Sequence, residues 1–113
     1  MFRLILPYAR EEGALVPIQI LDSDHRLMLD TKGLLVTGSS DCLIRSELAT
    51  KIGLRFDIPS VITISDGITT IETSMIFFDS PLTSVDVILG MTFMRHFVFY
   101  FDGPKKLVTI TSE

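Results

Sequence analysis

Tryptophan is absent, cysteine occurs once and histidine twice. The lone Cys42 cannot form an intrachain disulfide, which excludes a disulfide-stapled scaffold and fits a reducing compartment such as the cytoplasm. One cysteine and two separated histidines, His25 and His96, offer no metal-ligand spacing. Neither a metal nor another cofactor is expected. Positive charge is also scarce: ten Lys and Arg stand against fourteen Asp and Glu, a formal charge of −4. That balance argues against nucleic acid, which calls for a basic face. No apolar run approaches the roughly 20 residues of a membrane span, because Asp86, Arg95 and Asp102 interrupt the richest segment. The apolar start, Met1 to Pro7, is too short for a signal peptide, and Arg10, Glu11 and Glu12 follow it. No membrane partner is expected.

What the chain does have is apolar residues. They make up 47% of its 113 residues, and mean hydropathy is +0.45. This length suits one domain over residues 1–113, above the size at which a single core becomes marginal. A small domain has much surface to cover, so such an apolar excess points to a subunit interface.

The patterning is mostly that of strands. Residues Ala14 to Leu21 are β-rich, Asp22 to His25 form a polar turn, and Arg26 to Asp30 resume the extended pattern, together a hairpin. Leu34-Leu35-Val36 reads as a short buried strand running into Gly38-Ser39-Ser40. Ser46 to Gly53 is the best helix: Ser46 is placed to cap it, Glu47 suits the positive end of the dipole, and Gly53 supplies a left-handed stop. Ser60 to Ile64 and Ile68 to Ile76 flank Ser65-Asp66-Gly67, a strong hairpin signal, and their alternating arms imply one open face. Val85 to Leu89, Phe97 to Phe101 and Leu107 to Ile110 read as further strands, with a helical turn from Met91 to His96.

Two short runs carry the functional signal. They are Leu34-Leu35-Val36-Thr37-Gly38-Ser39-Ser40 and, some fifty residues later, Val87-Ile88-Leu89-Gly90. In this order, around a flap-like hairpin, they make residues 14–111 resemble a retropepsin-like aspartic protease, in the cellular and bacterial style. The resemblance implies an all-β, retropepsin-type half-barrel with one short helix, one active-site loop and one flap hairpin per subunit. It implies a homodimer acting on a peptide or protein substrate, each subunit offering one catalytic Asp. Val36 stands where that Asp belongs. Thr37 would reach across the two-fold axis, Gly38 would let the loop turn beside the substrate, and Ser39 would bond the carboxylate. Ser40, Asp41 and Ile88 would line the substrate cleft, and Ser65, Asp66 and Gly67 would form the flap tip. The viral Arg after the second Gly is replaced by Met91, so that family's ion-pair anchor is not implied. Phe2 to Leu6 and Leu107 to Ile110 would add strands at the interface, as in viral relatives.

Other residues invite plainer readings. Asp30-Thr31-Lys32-Gly33 reads Asp-Thr-x-Gly, but Lys32 interrupts the turn and Leu34-Leu35 follow where small polar residues belong. Asp30 is therefore a solvent-facing strand residue. Asp86 caps a strand or pairs with a base, and Asp66 serves its own turn. His96 is a surface or interface residue, since no Ser or Cys nucleophile motif accompanies it. Cys42 is a small core hydrophobe; Phe93, Phe97, Phe99 and Phe101 are core, and Met75, Met91 and Met94 fill gaps.

Three functions fit these residues. The first is an aspartic endopeptidase subunit, inactive as written because Val36 has no oxygen to polarise water and no proton to exchange. Both halves of a homodimeric site come from one gene, so both carboxylates vanish together, which removes nearly all turnover. The second is a non-catalytic dimeric module that clamps extended peptides by strand addition. The third is a purely structural β-domain, which needs no dimer.

Overall fold

The computed structural model describes residues 3–8, 13–22, 24–55, 59–64, 70–80 and 85–111. Strand β1 (Arg3–Pro7) is followed by β2 (Leu15–Leu21) and β3 (Leu27–Leu35), which form an antiparallel hairpin. In β2 every second residue, Val16, Ile18 and Ile20, is buried, so strict alternation fixes which face meets the core. Each such burial contributes about 1.5–3 kcal/mol. Pro17 is tolerated mid-strand because the second neighbour of β2, strand β5 (Ser60–Ile64), joins only from Ile18 onward. In the turn, Asp22 Oδ1 accepts from the amides of Asp24 and Arg26, both at 2.9 Å.

Strand β3 differs from the sequence expectation. It runs unbroken through Thr31-Lys32-Gly33 and stops at Leu35, one residue short of Val36. Gly33 punctuates the sequence without breaking the strand: a Cβ there would lie 2.6 Å from Leu89 Cγ, so its hydrogen admits a neighbouring side chain. Asp30 is exposed, as expected.

Strand β4 (Cys42–Arg45) leads directly into helix α1 (Ser46–Ile52). Gly53 ends the helix with φ +77°, and the Leu54 amide donates back to Ala49 O at 2.9 Å. The start is a correction. Arg45 occupies the cap position, and Ser46 Oγ instead donates to Phe78 O at 3.2 Å, because the helix begins where β4 is still tied to a neighbouring strand.

β5 pairs with β6 (Thr70–Thr73), giving the two arms of the expected hairpin. Residues 65–69, including the Ser65-Asp66-Gly67 tip, lie outside the described residues. The far arm is shorter than expected: the chain leaves β6 at Ser74 and forms β7 (Met75–Phe78), which pairs in parallel with β4. Nor is β5 open on one face, since all five of its residues are buried, Ser60 and Thr63 included.

Strand β8 (Val87–Leu89) and the short helix α2 (Met91–Met94) precede β9 (Val98–Asp102) and β10 (Leu107–Thr111). Among the described residues seven strands form one sheet in the order β6-β5-β2-β3-β8-β4-β7. Its two end strands are consecutive in sequence, joined by Ser74 alone, so the sheet curls round on itself into a half-barrel. The other three strands form a sheet in the order β1-β10-β9, whose inner face adds Val108 and Ile110 to the core. Phe93, Met75 and Met94 are buried, and Phe97 and Phe99 are partly so. Phe101 and Met91 depart from the core assignment, at 47% and 44% exposed. Phe101 sits on an edge strand, with Tyr8 edge-on beside it and Phe99 stacked 6.5 Å away, and Met91 lies on the outer side of a one-turn helix. No helix among the described residues is long and apolar enough to cross a membrane.

Candidate active site

The two sequence signatures meet around β8. This strand lies between β3, to which it runs parallel, and β4, to which it runs antiparallel. The chain leaves β3 at Leu35, loops through residues 36–41 across the end of β8, and returns as β4. Four backbone hydrogen bonds fix the crossing. The Val36 amide donates to Leu89 O at 3.1 Å and the Ser39 amide to Val36 O at 3.2 Å. The Met91 amide donates to Ser39 O at 2.8 Å and the Thr92 amide to Ser40 O at 3.0 Å.

Gly90 is what lets the two segments touch. A Cβ at this position would collide with the backbone carbonyls of Asp41 and Ser39, neither of which can yield as a flexible side chain would. Its φ of −94° is open to any residue, so the demand for glycine here is purely one of space.

Val36 sits half-buried just past β3 with its amide engaged. Thr37, Gly38, Ser40 and Asp41 are exposed along the loop, and Ser39 is half-buried. Ser39 Oγ donates to Asp41 O at 2.8 Å, closing a small ring inside the loop. Ile88 is half-buried and points away from its neighbours Val87 and Leu89, which enter the core. The fold therefore brings Val36 to Asp41 together with Gly90, Met91 and Thr92. The expected flap-tip residues Ser65, Asp66 and Gly67 lie outside the described residues.

Gly38 behaves differently from Gly90. Among the described residues a Cβ there would meet nothing within 4 Å, and its φ is not left-handed.

Three flanking residues complete the picture. Cys42 is fully buried with Sγ 3.4 Å from Thr92 Oγ1, a contact tying the end of the loop to α2. Asp86 pairs with a base, as expected: its Oδ1 lies 3.1 Å from Arg45 Nε. His96 is exposed. Among the described residues no three His, Cys, Asp or Glu side chains gather to hold a metal ion. Sequence reasoning missed Thr92 and Arg45. Arg45 left one signal, a lone base closing an apolar strand; Thr92 left none beyond its place two residues after Gly90.

No family model and no curated protein matches the sequence. Solved structures do match in fold. A retropepsin-like aspartic protease from Rickettsia conorii superposes with a TM-score of 0.69 at 18% identity, over 98% of this chain and 90% of that one. An aspartic proteinase from Irpex lacteus gives 0.65 at 17% identity over 99% of this chain, which spans 47% of the fungal one. The retroviral protease-like domain of Ddi1 from Leishmania major gives 0.52 at 14% identity, over 89% of this chain and 94% of that domain. The chain has the all-β fold of the retropepsin-like aspartic proteases.

Proposed function

We propose that this chain is one subunit of a homodimeric, retropepsin-like aspartic endopeptidase whose site, as written, does not hydrolyse peptides. The observation that carries the reading is the crossing itself. The loop from Val36 to Asp41 is held over β8 by backbone hydrogen bonds and by the close approach at Gly90, with Val36 at its start. That scaffold would set one carboxylate from each subunit beside its two-fold mate. Two such groups cannot both ionise easily, so they share a proton. One then takes a proton from the attacking water while the other donates to the substrate carbonyl. Val36 supplies neither function.

Several observations support the dimer. Among the described residues nothing fills the space beside Gly38, next to the exposed Thr37. On the outer face of the terminal sheet, Ile5 lies across Thr109 from Tyr100, with Val98 beside them. These three apolar side chains are 50%, 65% and 47% exposed in the order Ile5, Tyr100, Val98. The terminal strands β1 and β10 pair within one subunit, so they would meet a partner as a formed sheet and not as loose arms. With Cys42 buried as a thiol, the dimer suits the reducing cytoplasm.

Restoring the carboxylate tests this. Val36→Asp is expected to cleave unfolded chains between apolar residues at acid pH, and to be blocked by statine-type transition-state mimics. Its dimer should weaken as pH rises: the shared proton raises the pair's pKa in the dimer, so the stabilisation is present below that value and lost above it. A folded Val36→Asp dimer that cleaves no peptide library between about pH 3 and pH 7 would overturn the protease reading. One observation favours the peptide-clamp reading in that event. Ser39 Oγ is already engaged by Asp41 O, so the loop closes without any carboxylate.

A further inference from the structure

We propose that Arg45 is the positioning residue of this site, setting the register of β8 and thereby the place of Gly90 under the loop. The proposal rests on reading the 36–41 crossing as the functional element, and does not require that the site hydrolyse anything.

Strand β8 has only three residues, three pairings with β3 and two with β4. So short a strand specifies its own register poorly. Yet a slip of one residue would turn Val87 and Leu89 out of the core and drive Ile88 in. It would also carry Gly90 away from the Ser39 and Asp41 carbonyls and put a side chain in its place. Something upstream must pin the strand.

Arg45 does so from the end of β4. Its amide donates to Asp86 O at 2.8 Å. Nε donates to Asp86 Oδ1 at 3.1 Å, Nη1 to Ser80 O at 2.9 Å and Nη2 to Val85 O at 2.9 Å. The guanidinium lies 5.1 Å from the centre of the Phe78 ring. One planar cation thus grips both ends of the connection from β7 to β8 and the residues immediately before β8. From Asp86 the extended chain reaches Gly90 in four residues, about 13 Å. The Asp86 carboxylate is half-exposed, so its ion pair with Arg45 contributes little by itself. The two backbone carbonyls, met by a rigid fork, carry the geometry. A lysine has one flexible ammonium and cannot hold both.

Amide hydrogen exchange on the chain as it stands separates positioning from general stabilisation. In Arg45→Met, the amides of Val36, Met91 and Thr92 should exchange at least about tenfold faster relative to those of the β1–β10 ladder. Arg45→Lys should do the same in smaller measure. Asp86→Asn, which keeps an acceptor and the carbonyls, should leave the ratio near that of the parent. If Arg45→Met does not fold, the ratio in Arg45→Lys decides. Equal acceleration in both sheets, or a parent-like ratio in Arg45→Lys, would overturn the proposal. Selective loosening in a chain whose Val36→Asp form stays inactive would leave Arg45 in its role and remove only the protease reading.

Discussion

The loop crossing at β8 and the terminal sheet are built on opposite terms. At the crossing, donors and acceptors answer each other within one chain: Val36, Ser39, Met91 and Thr92 all have their amides engaged. Gly90 marks where backbone meets backbone with no space left over. The terminal sheet is finished only on its inner face, where Val108 and Ile110 are fully buried. Its outer face leaves Ile5, Val98 and Tyr100 in solvent. Isolated apolar residues on a surface need no explanation, but three on one face of a three-stranded sheet form a patch of the kind that marks an interface. The contrast separates two requirements that the fold meets independently. The site's shape is set internally, while the surface that would complete it with a partner is set elsewhere. With a valine at position 36 the backbone crossing is fully formed, and the exposed outer face of the terminal sheet does not depend on that residue.

The largest expected effect breaks the first region. Gly90→Ala puts a Cβ into the Asp41 and Ser39 carbonyls, and because backbone must move, it should destabilise the chain by about 3 kcal/mol or more. Denaturant unfolding, monitored by circular dichroism, measures it. A loss below about 1 kcal/mol would mean that the crossing is looser than its hydrogen bonds imply.

Much of this plan was legible in the sequence, and the omissions have physical causes. The β2–β3 hairpin, the glycine end of α1 and both arms of the β5–β6 hairpin were readable because alternation and turn chemistry are local. The continuity of β3 was not. Gly33 looks like a break, and only the Leu89 side chain 2.6 Å from its missing Cβ explains it. Ser46 carries the chemistry of a cap, but a non-local acceptor, Phe78 O, claims its hydroxyl. β5 looks half-polar because Ser60 and Thr63 interrupt it, yet both are buried, and Thr63 Oγ1 has no hydrogen-bond partner among the described residues. A buried hydroxyl left so costs about 1–3 kcal/mol, which no local pattern announces. Motif spacing singles out Val36 to Asp41 and Gly90 as candidates, but not the close approach of Gly90 to the Ser39 and Asp41 carbonyls. The grip of Arg45 on Ser80, Val85 and Asp86 spans about forty residues of sequence and leaves no periodic trace.

A smaller effect tests the second region. Tyr100→Asp changes a side chain that is 65% exposed, so the unfolding free energy of the subunit should move by no more than about 0.5 kcal/mol. The proposed dimer should weaken at least about tenfold, since a tyrosine at the centre of an interface is a frequent anchor. Sedimentation across a concentration series reads both states. An unchanged dimer would remove the terminal sheet from the interface and leave the loop side to carry it alone.

The smallest expected effect on the fold is the sharpest test of the comparison, because Gly38 belongs to the first region in sequence and to the second in behaviour. It lies two residues past Val36, inside a loop whose other close approach, at Gly90, tolerates no added atom. Yet a Cβ at Gly38 would enter open space, on a backbone that any residue can adopt. Gly38→Ala should therefore leave the subunit's stability within about 0.5 kcal/mol of the parent, or raise it slightly by restricting the unfolded chain. If the open space belongs to a partner subunit or to an extended peptide, the same methyl group should weaken assembly or peptide binding while the subunit stays intact. Calorimetric titration with an apolar peptide and sedimentation of the same variant separate the two. A Gly38→Ala chain that unfolds more easily would show that the loop is as closed there as at Gly90. One that folds, dimerises and binds like the parent would show that nothing packs against Gly38, and would put the partner and the peptide on other parts of the chain.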